Sequence, residues 1–169
     1  MLMTEPAEVI MRTVECGDYE ELVRFFDANS VAQVVRQFHP FPLSASTARY
    51  IARNKHLDRY YVALLRGRII ALCMLRGWDD GYSTPSFGIL VDHRYHARGI
   101  GTKMTKLAIS EAGVLGCRQV RLSVYASNEV ALRLYASLGF EERVRESVLV
   151  MGQPDEKIIM VKDLETACD

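Results

Sequence analysis

The chain has 169 residues, in which 21 Lys and Arg are balanced by 21 Asp and Glu, and 49% of it is hydrophobic. That length fits one domain over 1–169, able to bury a core without covalent staples, and the composition is that of a folded chain rather than a disordered one. A net charge of zero excludes a protein that coats nucleic acid or an anionic membrane by bulk electrostatics, but leaves room for a local basic pocket.

No apolar run approaches the roughly 20 residues needed to cross a bilayer. Residues 1–8 lack a basic stretch and carry two glutamates, so they are expected to be a flexible lead-in rather than a secretory signal. Cys16, Cys73, Cys117 and Cys168 lie far apart, without the spacing of a metal site. They are expected to be reduced thiols in a cytoplasmic protein, and no metal is expected.

Val9–Val14 has a strand's composition. Asp18, with Glu21 three residues on, is expected to cap a helix whose Leu22, Phe25 and Phe26 share a face. Across Ala28–Ser46 the prolines Pro40 and Pro42 break any regular helix. A second helix is expected from Thr47 to about Asn54, capped by Ser46. Tyr60–Leu65 and Ile69–Leu75 form a hairpin joined by Arg66-Gly67-Arg68. After a polar loop, Trp78–Ser83, Phe87–Val91 is a further strand. A helix follows from about Gly101, with Met104, Leu107 and Ala108 near one face, ended by Gly113 and Gly116. Gln119–Tyr125 is a strand and Glu129–Leu138 a helix stopped by Gly139. Val144–Met151 and Ile158–Val161 close the chain as a hairpin around Gly152-Gln153-Pro154-Asp155. The order β-α-α-β-β-β-α-β-α-β-β describes a mixed α/β (α+β) sheet, antiparallel in its first half, unlike alternating doubly wound folds.

The chemistry concentrates where Val91 leads through His96-Ala97-Arg98-Gly99-Ile100-Gly101-Thr102 into a helix. Glycines allow close backbone approach and positive φ, and the first amides of a helix point outward without internal partners. A strand, a glycine loop and a helix start together make a phosphate site. A dinucleotide loop would need glycine where Met104 stands, and an NTP loop would need Gly-Lys-Ser/Thr where the chain has Gly101-Thr102-Lys103. A kinase glycine loop lies within a hairpin.

Ile89-Leu90-Val91 followed by Arg98-Gly99-Ile100-Gly101 resembles the GNAT superfamily of acyl-CoA-dependent N-acetyltransferases, whose signature is Gln/Arg-x-x-Gly-x-Gly/Ala. Asn128-Glu129-Val130-Ala131-Leu132-Arg133-Leu134-Tyr135, running on to Gly139-Phe140, is similar to a second segment of that family. His96 departs from the signature, standing where the family has Gln or Arg, and His93 stands where proline is common. The resemblance implies a mostly antiparallel sheet of six to seven strands, splayed at strands four and five and flanked by about four helices. It implies acetyl-CoA as co-substrate, held by Ile89, Leu90, Val91, His96, Ala97, Arg98, Gly99, Ile100, Gly101, Thr102, Asn128 and Ala131. It also implies Tyr135 as the catalytic group, a phenol placed to donate toward the departing thiolate. Arg94, Arg98, Lys103 and Lys106 would add positive potential beside the loop.

An alkyl ammonium has a pKa of about 10.4, so the acceptor must lose a proton before attack. Many family members carry a strand-four carboxylate for this, whereas no acid lies between Gly81 and Val91 here. His39, Asp79 and Asp80 are candidate bases, and His39, Phe41, Asp79 and Asp80 candidate acceptor contacts. Phe38–Phe41, Trp78–Tyr82 and the loop near Gly152 are the expected pocket walls, suited to a small-molecule or peptide amine, an amino sugar among them. The missing acid leaves a second reading open, an acyl-CoA-binding module without turnover. Neither nucleic acid nor membrane is an expected partner, and the chain is expected as a monomer or homodimer.

Overall fold

The computed structural model describes residues 8–53 and 55–165. The lead-in expected over 1–8 falls outside them except for Glu8, as do Cys168 and the expected helix end at Asn54. Seven strands form one sheet: β1 (Val9–Thr13), β2 (Arg59–Leu65), β3 (Arg68–Arg76), β4 (Ser86–Val91), β5 (Gln119–Tyr125), β6 (Glu141–Val150) and β7 (Gln153–Asp163). Their order is β1-β2-β3-β4-β5-β7-β6. Every pair is antiparallel except β4–β5. That pair is parallel because the chain between them crosses over through a helix.

Side-chain alternation divides the core in two. Leu72 and Met74 of β3 pack beneath α1 (Tyr19–Asn29), α2 (Ala32–Gln37) and α3 (Ala45–Ala52), with Leu22, Phe25, Phe26 and Ile51. Cys73 and Leu75 face the other side, with Met104 and Ala108 of α4 (Ile100–Val114) and with Tyr135 of α5 (Glu129–Ser137). Among the described residues five α-helices flank the sheet, in keeping with the expected about four. The additional one is α2, a six-residue turn that the prolines at 40 and 42 keep short.

Several boundaries shift for local reasons. Asp18 precedes α1 but does not cap it. Its carboxylate turns back to Arg12 at 2.7 and 2.8 Å and to the Glu15 amide at 2.8 Å. Ser44, not Ser46, caps α3, accepting from the Thr47 amide at 3.2 Å, while Ser46 bonds only to the Ser44 hydroxyl. Gly113 lies inside α4, which ends instead at Gly116 with φ +77°. Arg66-Gly67 and Met151-Gly152 each place two consecutive residues at positive φ, the signature of a two-residue hairpin turn. The second hairpin is therefore tighter than expected, and Pro154 lies within β7. Proline is tolerated there because β5 pairs with β7 only from Lys157 onward, so one side of β7 has no ladder to lose.

Carboxylates pin the helical layer to the sheet. Burial would raise the Asp18 carboxyl, but the Arg12 guanidinium and the Glu15 amide bring it below its ordinary value. Glu21 behaves alike: burial opposes ionisation, and hydrogen bonds from Arg68, Arg24 and the Ile69 amide outweigh it. A carboxyl depressed on folding stabilises above its unfolded pKa of about 4, and that stability is lost as pH falls through the folded value. The melting temperature should hold between about pH 7 and pH 5 and drop below about pH 4. Arg12→Ala should lower it at neutral pH and flatten the acid limb, as read from thermal melts across the range.

Candidate active site

β4 and β5 part almost as soon as they meet. Only Ser86 with Arg121 and Phe87 with Leu122 pair before the strands diverge. On its other side β4 is laddered to β3 throughout, from Arg76–Ser86 to Ala71–Val91. The Asp92 amide continues that ladder, donating to the Ile70 carbonyl at 2.8 Å. Antiparallel alternation then turns the peptide groups of Gly88 and Leu90 toward β3, and those of Ile89 and Val91 into the gap, where no strand answers them. The gap opens into a cleft of about 480 Å³ whose walls include Gly88, Ile89, Ser123, Tyr125, Asn128 and Tyr135.

The glycine loop starts from a rigid root. The buried Asp92 carboxylate accepts from the Arg94 amide at 3.0 Å and from its guanidinium at 3.0 and 2.7 Å. Burial alone would raise the Asp92 carboxyl; these bonds hold it below its usual range. Asn29 Oδ1 takes the His93 amide at 3.0 Å, and His93 Nδ1 lies 3.1 Å from the same oxygen, so His93 is committed to α1. Beyond it, Ala97 and Gly99 adopt φ of +58° and +75°. Alternating backbone of this kind forms a concavity for an anion. The amides of Arg98, Gly99, Ile100, Gly101 and Thr102 donate to no described protein group, and the first bond of α4 runs from Lys103 N–H to the Gly99 carbonyl.

The two loop glycines therefore differ, contrary to the expectation that both supply positive φ. Gly101 is helical, and a Cβ there would only touch Leu134 at 3.6 Å and Val91 at 4.0 Å. Its bareness leaves room beside the free amides rather than relieving strain. The basic cluster also differs: Arg94 is held by Asp92, and the Arg98 guanidinium stacks on the Tyr95 ring at 5.0 Å. Attraction for an anion thus falls to the unpartnered amides and the helix end, together with Lys103 and Lys106, which make no ion pair with a described residue. His96 Nε2 lies 3.1 Å from the Val91 carbonyl, which retains a second lone pair for another donor.

Tyr135 lies on the face of α5 that packs under the gap, 7% exposed. Its ring meets Phe87 of β4 edge-on at 6.2 Å and Phe140 at 5.9 Å. Burial, with a smaller contribution from Cys73, pushes the phenol well above its ordinary value, so it is a donor at neutral pH. Asn128 caps α5 by accepting from the Ala131 amide at 3.2 Å, and it too lines the cleft.

At the far end the expected pocket residues separate. His39 and Asp80 line the cleft. His39 Nε2 sits 2.7 Å from the Arg36 carbonyl, which makes it the donor and leaves Nδ1 with its lone pair. Phe41 instead packs between Phe26 and Phe38. Asp79 accepts from the Leu57 amide at 2.7 Å and the Tyr50 hydroxyl at 3.1 Å, away from the cleft. The turn at Gly152 does not reach it either. Asp58, unremarked in the sequence, shapes this wall: its buried carboxylate gathers the amides of Gly77, Trp78 and Asp79 at 2.9, 2.9 and 3.3 Å. Arg76, Arg121 and Lys157 also line the cleft unforeseen. The clue available for Arg121 was that it shares a β5 face with Ser123 and Tyr125.

A family model described as the acetyltransferase (GNAT) family matches residues 24–140. The chain belongs to that family. The acetyltransferase is 27% identical over 139 residues to the [ribosomal protein bS18]-alanine N-acetyltransferase of Escherichia coli K12, covering 76% of this chain and 91% of that one. Over a shorter stretch of 52 residues it is 38% identical to the spermine/spermidine N(1)-acetyltransferase of Bacillus subtilis, covering 30% and 34% of the two chains. Its fold matches a Vibrio fischeri ribosomal-protein-S5-alanine acetyltransferase with a TM-score of 0.81 at 15% identity, covering 98% of both chains. It also matches a Salmonella typhimurium protein, yncA, solved with its cofactor acetyl-CoA, with a TM-score of 0.75 at 18% identity over 95% and 96% of the two chains.

The contrast between the loop glycines is testable. Gly99→Ala should lower stability by about 1 kcal/mol through its left-handed backbone alone. Gly101→Ala should leave the melting temperature equal or higher, since alanine is the better helix residue by about 1 kcal/mol. It should nonetheless raise the KM for acetyl-CoA about tenfold, the loss expected for one impaired charge-assisted contact. Thermal melts and steady-state kinetics on both variants separate the two roles.

Proposed function

We propose that this acetyltransferase moves the acetyl group of acetyl-CoA onto a primary amine of a small molecule or peptide by direct attack within the cleft. Acetyl-CoA supplies an acyl group already activated as a thioester. Five amides without acceptors at the start of α4 suit its pyrophosphate, and the peptide groups of Ile89 and Val91 that no strand pairs suit the amides of its pantetheine arm, as an added strand would. That arm would lead to Tyr135. The reading rests above all on this continuity from anion cradle, along an open strand edge, to a buried phenol.

Tyr135 then acts as a hydrogen-bond donor. A thiol has a pKa near 8.5 and a phenol near 10, and burial raises this phenol further, so full proton transfer to a thiolate is uphill. A donor placed where charge develops stabilises the departing sulfur without giving up its proton. At the other end, His39 Nδ1 and the Asp80 carboxylate are the cleft groups able to take the proton lost by the amine.

Tyr135→Phe keeps the ring against Phe87 and Phe140 and removes only the hydroxyl, so stability should barely change. It should lower kcat by about 10²–10⁴ with little effect on the KM for acetyl-CoA. Thiol release from acetyl-CoA across a panel of amino sugars, polyamines, amino acids and peptide N-termini measures both. Wild-type turnover in the variant would remove Tyr135 from the chemistry.

A further inference from the structure

The acceptor end of the cleft is built for a negative charge. Among its described lining residues, Arg76, Arg121 and Lys157 face a single acid, Asp80. Arg121 and Lys157 make neither an ion pair nor a side-chain hydrogen bond with any described residue. Strand register places Arg76, Ser86 and Arg121 abreast on β3, β4 and β5, where opposed residues project from the same face. Two guanidinium-bearing positions thus flank one serine at the closed end of the splay.

Arg76 is only partly engaged. It donates to the Pro40 carbonyl at 2.9 Å, and its Nε lies 3.9 Å from Asp58, whose nearer bonds go to three backbone amides. Buried side-chain polar atoms without a partner number two among the described residues, Arg76 Nε and Gln37 Oε1, and both residues line this cleft. One is an orphaned donor and the other an orphaned acceptor. Such atoms are costly unless something completes them. Arg76 therefore stands at a wall whose polar groups are incompletely matched within the protein.

The anion in question is not the pyrophosphate of the cofactor. Ser86 and Val91 are five strand steps apart, about 16 Å at the usual rise, and the amide cradle lies beyond Val91. The row is instead one residue from Phe87, against which Tyr135 packs.

We infer that the acceptor is a compact primary amine that also carries a carboxylate or phosphate, held by Arg121 with Arg76 beside it. This rests on the acetyl-transfer reading above. It sets the chain apart from a polyamine acetyltransferase, because a polycation would meet uncompensated cations in this cleft.

Acceptors matched except for the anion test it: alanine against alaninamide, phosphoethanolamine against ethanolamine, glucosamine 6-phosphate against glucosamine, with spermidine as the cationic extreme. In each productive pair the anionic member should have the higher kcat/KM by about tenfold to a hundredfold. The carboxylate and phosphate pairs show which anion is preferred. Arg121→Gln should collapse that ratio toward one, and Arg121→Lys should keep part of it. Preference for spermidine or the neutral amines, or an unchanged ratio in Arg121→Gln, overturns the proposal. A binding arm keeps the two readings apart. With CoA saturating the amide cradle, inorganic phosphate should raise the melting temperature of the wild type but not of Arg121→Gln. Equal shifts overturn the anion site even where no amine is turned over, whereas a wild-type-specific shift without turnover of any amine keeps the site and counts against acetyl transfer.

Discussion

The structure depends on a sheet that is left incomplete. A parallel pair held by two residue pairs gains little from its own ladder, and peptide groups facing a buried gap are costly unless water or a ligand takes them. The opening persists because each strand is secured from outside. β4 is laddered to β3 over six residues and β5 to β7 over seven. The ring of Tyr135 then packs on the residue where pairing stops. Stability resides in the flanking antiparallel pairs, and the parallel seam between them is free to bind.

This division governs where side chains are small or strained. Gly88, on β4, would place a Cβ 3.3 Å from Met74 Sδ and 3.6 Å from Pro40, tighter at the sulfur than a packed core readily accepts. The prolines that stop α2 thus also bring the 38–41 segment close to the seam. The strained backbone at Ala97 and Gly99 is offset nearby by the Asp92–Arg94 and Asn29–His93 contacts, which fix the loop root to α1 and to the end of β4. Net charge hides all of this. Backbone dipoles at the start of α4 carry no formal charge, and Arg121 and Lys157, without ion pairs among the described residues, lie toward the opposite end of β4.

What was legible in the sequence followed from local rules. The strand–loop–helix order around Gly99 is a short-range pattern, and together with the family resemblance it pointed to the loop and to Tyr135. Less was legible where neighbours compete. Ser46 reads as the cap of α3, yet it is the Ser44 hydroxyl that reaches the Thr47 amide. Asp79 and Asp80 are adjacent and chemically equal, yet the Leu57 amide and Tyr50 hydroxyl draw one away while the other stays in the cleft. Phe41 looks like a pocket aromatic until its long-range partners, Phe26 and Phe38, are known. Arg121 was invisible because a polar residue alternating with apolar ones on a strand reads as a solvated face. Only the strand order reveals that Arg76 stands two strands away in the same row.

Burial gives the two ends of the cleft different electrostatic characters. Around Tyr135 the Phe87 and Phe140 rings keep the phenol at low dielectric, where, in the proposed reaction, a donor would strengthen as charge accumulates on sulfur. Arg121 is exposed, so its charge is screened and, on the proposal above, would serve recognition rather than chemistry. The proposed anion site would account for the lack of an acid on β4. A carboxylate in the row of Ser86 would pair with Arg76 or Arg121 and cancel the field that a negatively charged acceptor needs. In the proposed reaction a proton acceptor on the opposing loops, at His39 or Asp80, would let one face of the sheet hold an anion while the amine is deprotonated from the other wall.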